Sequence, residues 1–202
     1  MIITQHIKQI ENILNKEKII NYKLLQISFD IACLKFELSS KKKYIAKFSI
    51  NKKNTFNPIK SEAENLKYLN KKFDFFPKVI KFNDAYLIIQ YIENDKKKPN
   101  NTNFDFLNAV VKLHSVSNDQ YGFIFSTQMG ALEQINSFER SWTNFYVNKR
   151  LYPILELANK KENIGSLINE KILFIIKNID SFIPNNPPAL LLHGDMWEGN
   201  IL

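Results

Sequence analysis

The run Leu190-Leu191-Leu192-His193-Gly194-Asp195-Met196-Trp197-Glu198-Gly199-Asn200 constrains this chain more than any other stretch. The leucines ask for a sheltered approach, His193-Gly194 asks for a tight loop, and Asp195 and Asn200 hang a carboxylate and an amide from that loop. A bare His-Gly-Asp is an ordinary turn. The leading leucines, Trp197 and the spaced Gly199-Asn200 make the pattern specific.

A carboxylate that accepts a hydroxyl proton, followed by an amide oxygen that can hold magnesium, is the equipment of a phosphoryl-transfer loop. Asp195 is the candidate base and Asn200 the candidate metal ligand. Such a site also needs a strand lysine for nucleotide phosphates and a helix glutamate to hold that lysine. Tyr44-Ile45-Ala46-Lys47-Phe48 supplies the lysine between apolar neighbours. A lysine in that setting is costly without a partner. Glu62 is the first candidate for the partner and Glu64 the second.

The remaining sequence predicts an α+β chain in two parts. Ile7, Ile10, Ile13 and Leu14 share one face of a helix over 5–15. Tyr22–Ser28, Ile31–Leu38 and Tyr44–Ile50 read as strands, with the lysines at 41–43 at a hairpin tip. A helix over 58–71 follows, then a hairpin of Lys78–Phe82 and Ala85–Ile92 turning at Asn83-Asp84. The polar stretch Glu93–Thr102 marks a boundary, giving an N-terminal antiparallel sheet lobe over 1–94 and a helical lobe over 95–202. In the second lobe a helix over 103–115 buries Leu107, Val110, Val111 and His114. A long helix or kinked pair over 136–158 breaks at Pro153, and a helix over 162–179 packs through Leu167, Ile168, Ile172 and Ile176. Trp142, Phe145 and Tyr146 read as core, while His6 and Cys33 stand without chemical context.

The net charge of +8 rests on lysines, since only Arg140 and Arg150 are arginines. Base-edge and phosphate recognition lean on the guanidinium fork, so the reading is of no specific nucleic-acid partner. No run of apolar residues reaches membrane-spanning length. A single cysteine and an N-terminus without a signal-like pattern predict a reducing cytoplasm.

Together the terminal loop, Tyr44-Ile45-Ala46-Lys47, and the series Tyr121-Gly122-Phe123, Trp142-Thr143-Asn144-Phe145-Tyr146 and Arg150–Ala158 resemble the fructosamine (ketosamine) kinase family, relatives of the aminoglycoside and choline phosphotransferases. The Trp-x-x-Phe-Tyr helix running into Arg-Leu-x-Pro and Glu-Leu-Ala is the discriminating part. The resemblance implies a protein-kinase-like, two-lobed fold with ATP and Mg2+ between the lobes. It implies phosphorylation of a sugar hydroxyl on small ketosamines or glycated proteins, which removes the sugar from the amine. In those terms Asp195 is the base, Asn200 a magnesium ligand, Lys47 the phosphate-binding lysine and Glu62 its partner.

Two departures stand out. The turn after the first strand, Gln26–Ala32, has no glycine, and Asp30 sets a negative charge where phosphates are expected. The chain also ends at Leu202, without the Asp-Pro-Ala segment that carries the family's second metal ligand. The expectation is therefore a C-terminally truncated member, incomplete in its helical lobe. The alternative reading is an inactive kinase-like remnant, a pseudokinase without turnover.

Overall fold

A computed structural model describes residues 2–51, 56–93, 104–130, 132–161, 164–196 and 198–201. Most of the expected boundary stretch, the lysines at 96–98 and Trp197 lie outside the described residues. The chain divides into two compact units. One is built on residues 1–101 with 127–133 and 196–202, the other on 102–126 and 134–195.

The first unit is a five-stranded antiparallel sheet in the order β1-β2-β3-β5-β4, with strands β1 Ile19–Ser28, β2 Ile31–Leu38, β3 Lys43–Ser49, β4 Val79–Phe82 and β5 Tyr86–Gln90. Helix α1 (Ile2–Ile13) buries Ile10 against Leu34, Phe36, Phe48 and Ile88, with Ile7, Ile13 and Leu14 beside it. Helix α2 (Pro58–Asn70) anchors a second cluster of Ile59, Ala63, Leu66, Leu87 and Ile89. Successive strand residues face opposite sides. Ala46 and Phe48 therefore join the α1 cluster, while Ile45 packs on the α2 cluster. Asn57-Pro58 explains where α2 starts: the Asn57 side chain accepts from Lys60 N at 3.0 Å, and proline fits the first turn. β1 begins three residues earlier than the sequence suggests, at Ile19, where Glu11 accepts the backbone N–H. A short hairpin, β6 Thr127–Met129 and β7 Leu132–Gln134, was not legible in the sequence; β6 packs beside α2.

The second unit is helical: α3 Phe104–His114, α4 Trp142–Tyr146, α5 Tyr152–Lys161 and α6 Ser166–Lys177. Three expectations need correction. In α3 Val110 and His114 are partly buried as expected and Leu113 joins them as the buried residue, but Leu107 and Val111 are exposed. In α6 Ile172 and Ile176 turn inward, but Leu167 and Ile168 face water.

The third concerns Pro153. Residues 136–141 are not helical, Ser141 caps α4 through Asn144 N, and the chain runs through Pro153 without a break. A π-helical turn at Val147–Leu151 joins α4 to α5, with Tyr152 N–H donating to Val147 O. Such a wide turn relieves the clash between the proline ring and the preceding turn. Proline cannot donate to the carbonyl four residues back, and the Arg150 side chain does so instead, Nη1 to Lys149 O at 2.9 Å.

Candidate functional site

In the first unit the site begins with Lys47 on β3. Its ammonium lies 2.5 Å from Glu62 Oε1 on α2. Burial opposes the charge on Lys47, but the charge of the Glu62 carboxylate and the hydrogen bond it accepts outweigh that cost and raise the lysine pKa above its usual value. Glu64, the second candidate, pairs with Lys60 instead, at 4.0 Å. Glu62 points at Lys47 because α2 packs on the side of the sheet that Ile45 and Lys47 share. Cys33 sits directly across β2 from Lys47, and burial pushes its thiol pKa up, which keeps it protonated and unreactive.

The turn beyond Cys33 joins β1 to β2 through Phe29 and Asp30. The Asp30 carboxylate is engaged: Oδ1 accepts from Asn51 Nδ2 at 2.8 Å. Sequence reasoning missed Asn51, because a single polar contact across a sheet leaves no periodic signal.

In the second unit the approach to Asp195 is pinned to the chain after α3. Ser117 bridges to Leu190, Asn118 N–H donates to Ala189 O, and Leu191 N–H donates to Val116 O. Tyr121 adds a hydroxyl donated to Pro187 O. Only its amphipathic ring hinted at that role. The loop then turns at Gly194, whose φ of +84° suits glycine. Asp195 N–H donates to His193 Nδ1 at 3.3 Å, so the imidazole shapes the loop, and the Asp195 side chain is exposed. Asn200 lies in a 3-10 turn, Glu198–Asn200, and belongs to the first unit.

Trp142, Phe145 and Tyr146 form an aromatic cluster with Tyr121. Arg150 stacks its guanidinium 4.7 Å from the Phe145 ring and donates to Asn136 Oδ1 and Ile135 O. Through its hydroxyl bond to Pro187, Tyr121 links this aromatic cluster to the segment that leads to Asp195. His6 also has a context the sequence hid: its ring stacks on Phe48 and meets the Tyr86 hydroxyl at 2.6 Å.

The Lys47–Glu62 pair suits nucleotide phosphates, which need a fixed cation. Magnesium is served less well. Asn200 offers one neutral oxygen, and among the described residues no group of three His, Cys, Asp or Glu gathers to hold a metal. That donor set does not by itself fit an ion that favours carboxylates and phosphates.

A solved structure described as a fructosamine-3-kinase from Thermobifida fusca superposes with a TM-score of 0.80 at 18% identity, over 96% of this chain and 67% of that chain. The likeness shows the fold, the expected protein-kinase-like α+β class. A protein named as a ketoamine kinase from Enterococcus faecium is 34% identical over 118 residues, 58% of this chain and 41% of its own length. The ketosamine-3-kinase of Mus musculus is 32% identical over 83 residues, 41% of this chain and 27% of its own length. The chain spans about half the length of the curated relatives it matches, or less, from 27% to 54%. The family model described as fructosamine kinase matches residues 5–202, and the chain accordingly belongs to the fructosamine kinase family.

Proposed function

We propose that the chain serves ATP-dependent transfer of a phosphoryl group to a sugar hydroxyl of a ketosamine, free or attached to a protein. The observation that carries this reading is the ion pair of Lys47 and Glu62, a half-buried cation held in place on a rigid strand. Lys47 would neutralise nucleotide phosphates, and Glu62 would keep its ammonium charged and aimed. Asp195 would take the proton from the acceptor hydroxyl as its oxygen bonds to the γ-phosphorus. The bond from that phosphorus to the bridging oxygen would break, and ADP would leave. Magnesium, if the nucleotide brings it, would draw its favoured oxygens from the phosphates, and Asn200 would add one neutral amide oxygen. The phosphorylated sugar would then separate from the amine, a repair of glycation. Among the described residues no helix is long and apolar enough to cross a membrane. The cytoplasm is the proposed location.

A second reading is nucleotide binding without turnover. It is favoured by the single neutral oxygen that Asn200 offers magnesium. The two separate in one experiment: ATP-dependent phosphorylation of ribuloselysine by the purified chain, with nucleotide affinity measured in parallel. On the kinase reading, phosphate transfer is detected, and Asp195→Asn lowers it by about 10²–10⁴-fold while ATP affinity stays. Affinity for ATP without any transfer would establish the second reading. Transfer that survives Asp195→Asn unchanged would remove Asp195 as the base.

A further inference from the structure

The turn between β1 and β2 is built without glycine in a conformation that favours it. Phe29 and Asp30 have φ of +49° and +62°, the left-handed pair of a two-residue hairpin turn. Non-glycine residues there are strained, and such strain persists only where the surroundings hold it. Three contacts from outside the turn do so. Ile50 N–H donates to Asp30 O at 2.9 Å, and Asn51 Nδ2 donates to Asp30 Oδ1 at 2.8 Å. On the other side the Phe29 ring lies against Gly130 in the β6–β7 turn, where an added Cβ would come within 3.0 Å of it.

The place of this turn gives the contacts a purpose. Ile31 pairs with Ser49 and Cys33 with Lys47. The tip therefore lies past the Ser49 end of β3: Asp30 is bonded to Ile50, three residues and about 10 Å along the strand from Lys47 at the usual rise per residue. A carboxylate there would repel any polyphosphate that Lys47 binds. Taking that nucleotide reading as its basis, we propose that Asn51 is a positioning residue. It holds the Asp30 carboxylate back against the end of β3, so that a glycine-free turn can lie beside nucleotide phosphates.

Asn51 is exposed and outside the core, and the Ile50 and Gly130 contacts still hold the turn without it, so Asn51→Ala should fold, which circular dichroism checks. The test is calorimetric binding of ATP, ADP and adenosine to the full chain and to Asn51→Ala, Asn51→Ala/Asp30→Asn and Lys47→Met. Freeing the Asp30 carboxylate moves an existing charge a few ångströms nearer the phosphates rather than adding one, which in screened surroundings corresponds to roughly a twofold weaker ATP complex. Asn51→Ala should show that loss for ATP, a smaller one for ADP and none for adenosine. Adding Asp30→Asn should restore ATP affinity, and high salt should shrink the difference. Equal losses for ATP and adenosine would mean a merely structural role and overturn the assignment. An Asn51→Ala affinity equal to wild type would overturn it too. If Lys47→Met weakens ATP while Asn51→Ala does not, the nucleotide reading stands and only the role of Asn51 falls. If the unaltered chain binds no nucleotide, both fall together.

Discussion

In the sheet unit Ile10, Leu34, Phe48 and Ile88 are wholly shut off from water. In the helical unit the most buried apolar side chain among the described residues, Leu113, keeps 3% of its surface, and Phe104, Val111, Leu167 and Phe174 keep between 62% and 68%. An antiparallel sheet with a helix against each of two clusters can close a core. The helical unit adds directed polar contacts to a smaller set of buried side chains, among them Leu113, Phe145 and Ile176. Arg150 reaches Ile135 O, Asn136 Oδ1 and Lys149 O, and Tyr121 reaches Pro187 O. Burial holds the part that carries Lys47, and hydrogen-bonded clamps help hold the part that carries Asp195.

The most damaging change should accordingly fall in the sheet unit. Phe48 is fully buried and packs on His6 and Tyr86. Phe48→Ala removes its transfer energy and leaves a cavity, which costs about 3–5 kcal/mol. Urea unfolding followed by circular dichroism measures it. A loss below about 1 kcal/mol, of the size surface changes give, would show that the cluster under α1 is not the stabilising core.

The helical unit should fail at Arg150 instead. Arg150→Ala deletes bonds to two carbonyls and to the buried Asn136, together with the stack on Phe145. Hydrogen bonds from a charged donor are each worth about 1.5–3 kcal/mol. Part of that is lost to solvent screening at a half-buried site, so we expect about 2–4 kcal/mol in total. Arg150→Lys should not rescue it, because one ammonium cannot span the acceptors that a planar fork reaches. Hydrogen exchange over residues 135–155 reads the local effect. Protection in Arg150→Lys equal to that of the parent would break the contrast between clamps and burial.

The same contrast decides what was legible in the sequence. β2 and α2 were readable almost to the residue, because an apolar run bounded by polar breaks and the helical spacing of Ile59, Ala63, Leu66 and Leu69 are local signals. The helical faces of α3 and α6 were misplaced in part: apolar residues surround both helices, and only packing selects the stripe. Pro153 misled because the Arg150 side chain supplies the donor that proline lacks, and a side chain reaching back along its own helix leaves no mark in hydropathy. At the site, a lysine among apolar strand residues asks for an acid, and Glu62 is the acid that α2 brings to it. The Asp30–Asn51 and Tyr121–Pro187 contacts were invisible. Each joins residues far apart in the chain by a single polar bond.

The smallest expected effect lies where polar chemistry enters the sheet unit's core. His6 stacks on Phe48 and meets the Tyr86 hydroxyl, and burial lowers its pKa below the ordinary 6.5. A histidine whose folded pKa is depressed is held neutral by the fold. Its contribution to stability is complete above the unfolded pKa and is lost as the pH falls below that value, when the unfolded chain takes up the proton first. Stability should therefore decline from about pH 7.5 to about pH 5.5 across the ordinary histidine range. His6→Phe keeps the stack on Phe48 but removes the titrating group. Its urea midpoint should decline less than the parent's over that interval, and the difference between the two slopes cancels every other group that titrates. Parallel slopes would mean that α1 docks on the sheet through Ile7, Ile10 and Leu14 alone, with His6 a passenger. A steeper parent slope would place a proton-sensitive contact inside the unit that otherwise relies on burial.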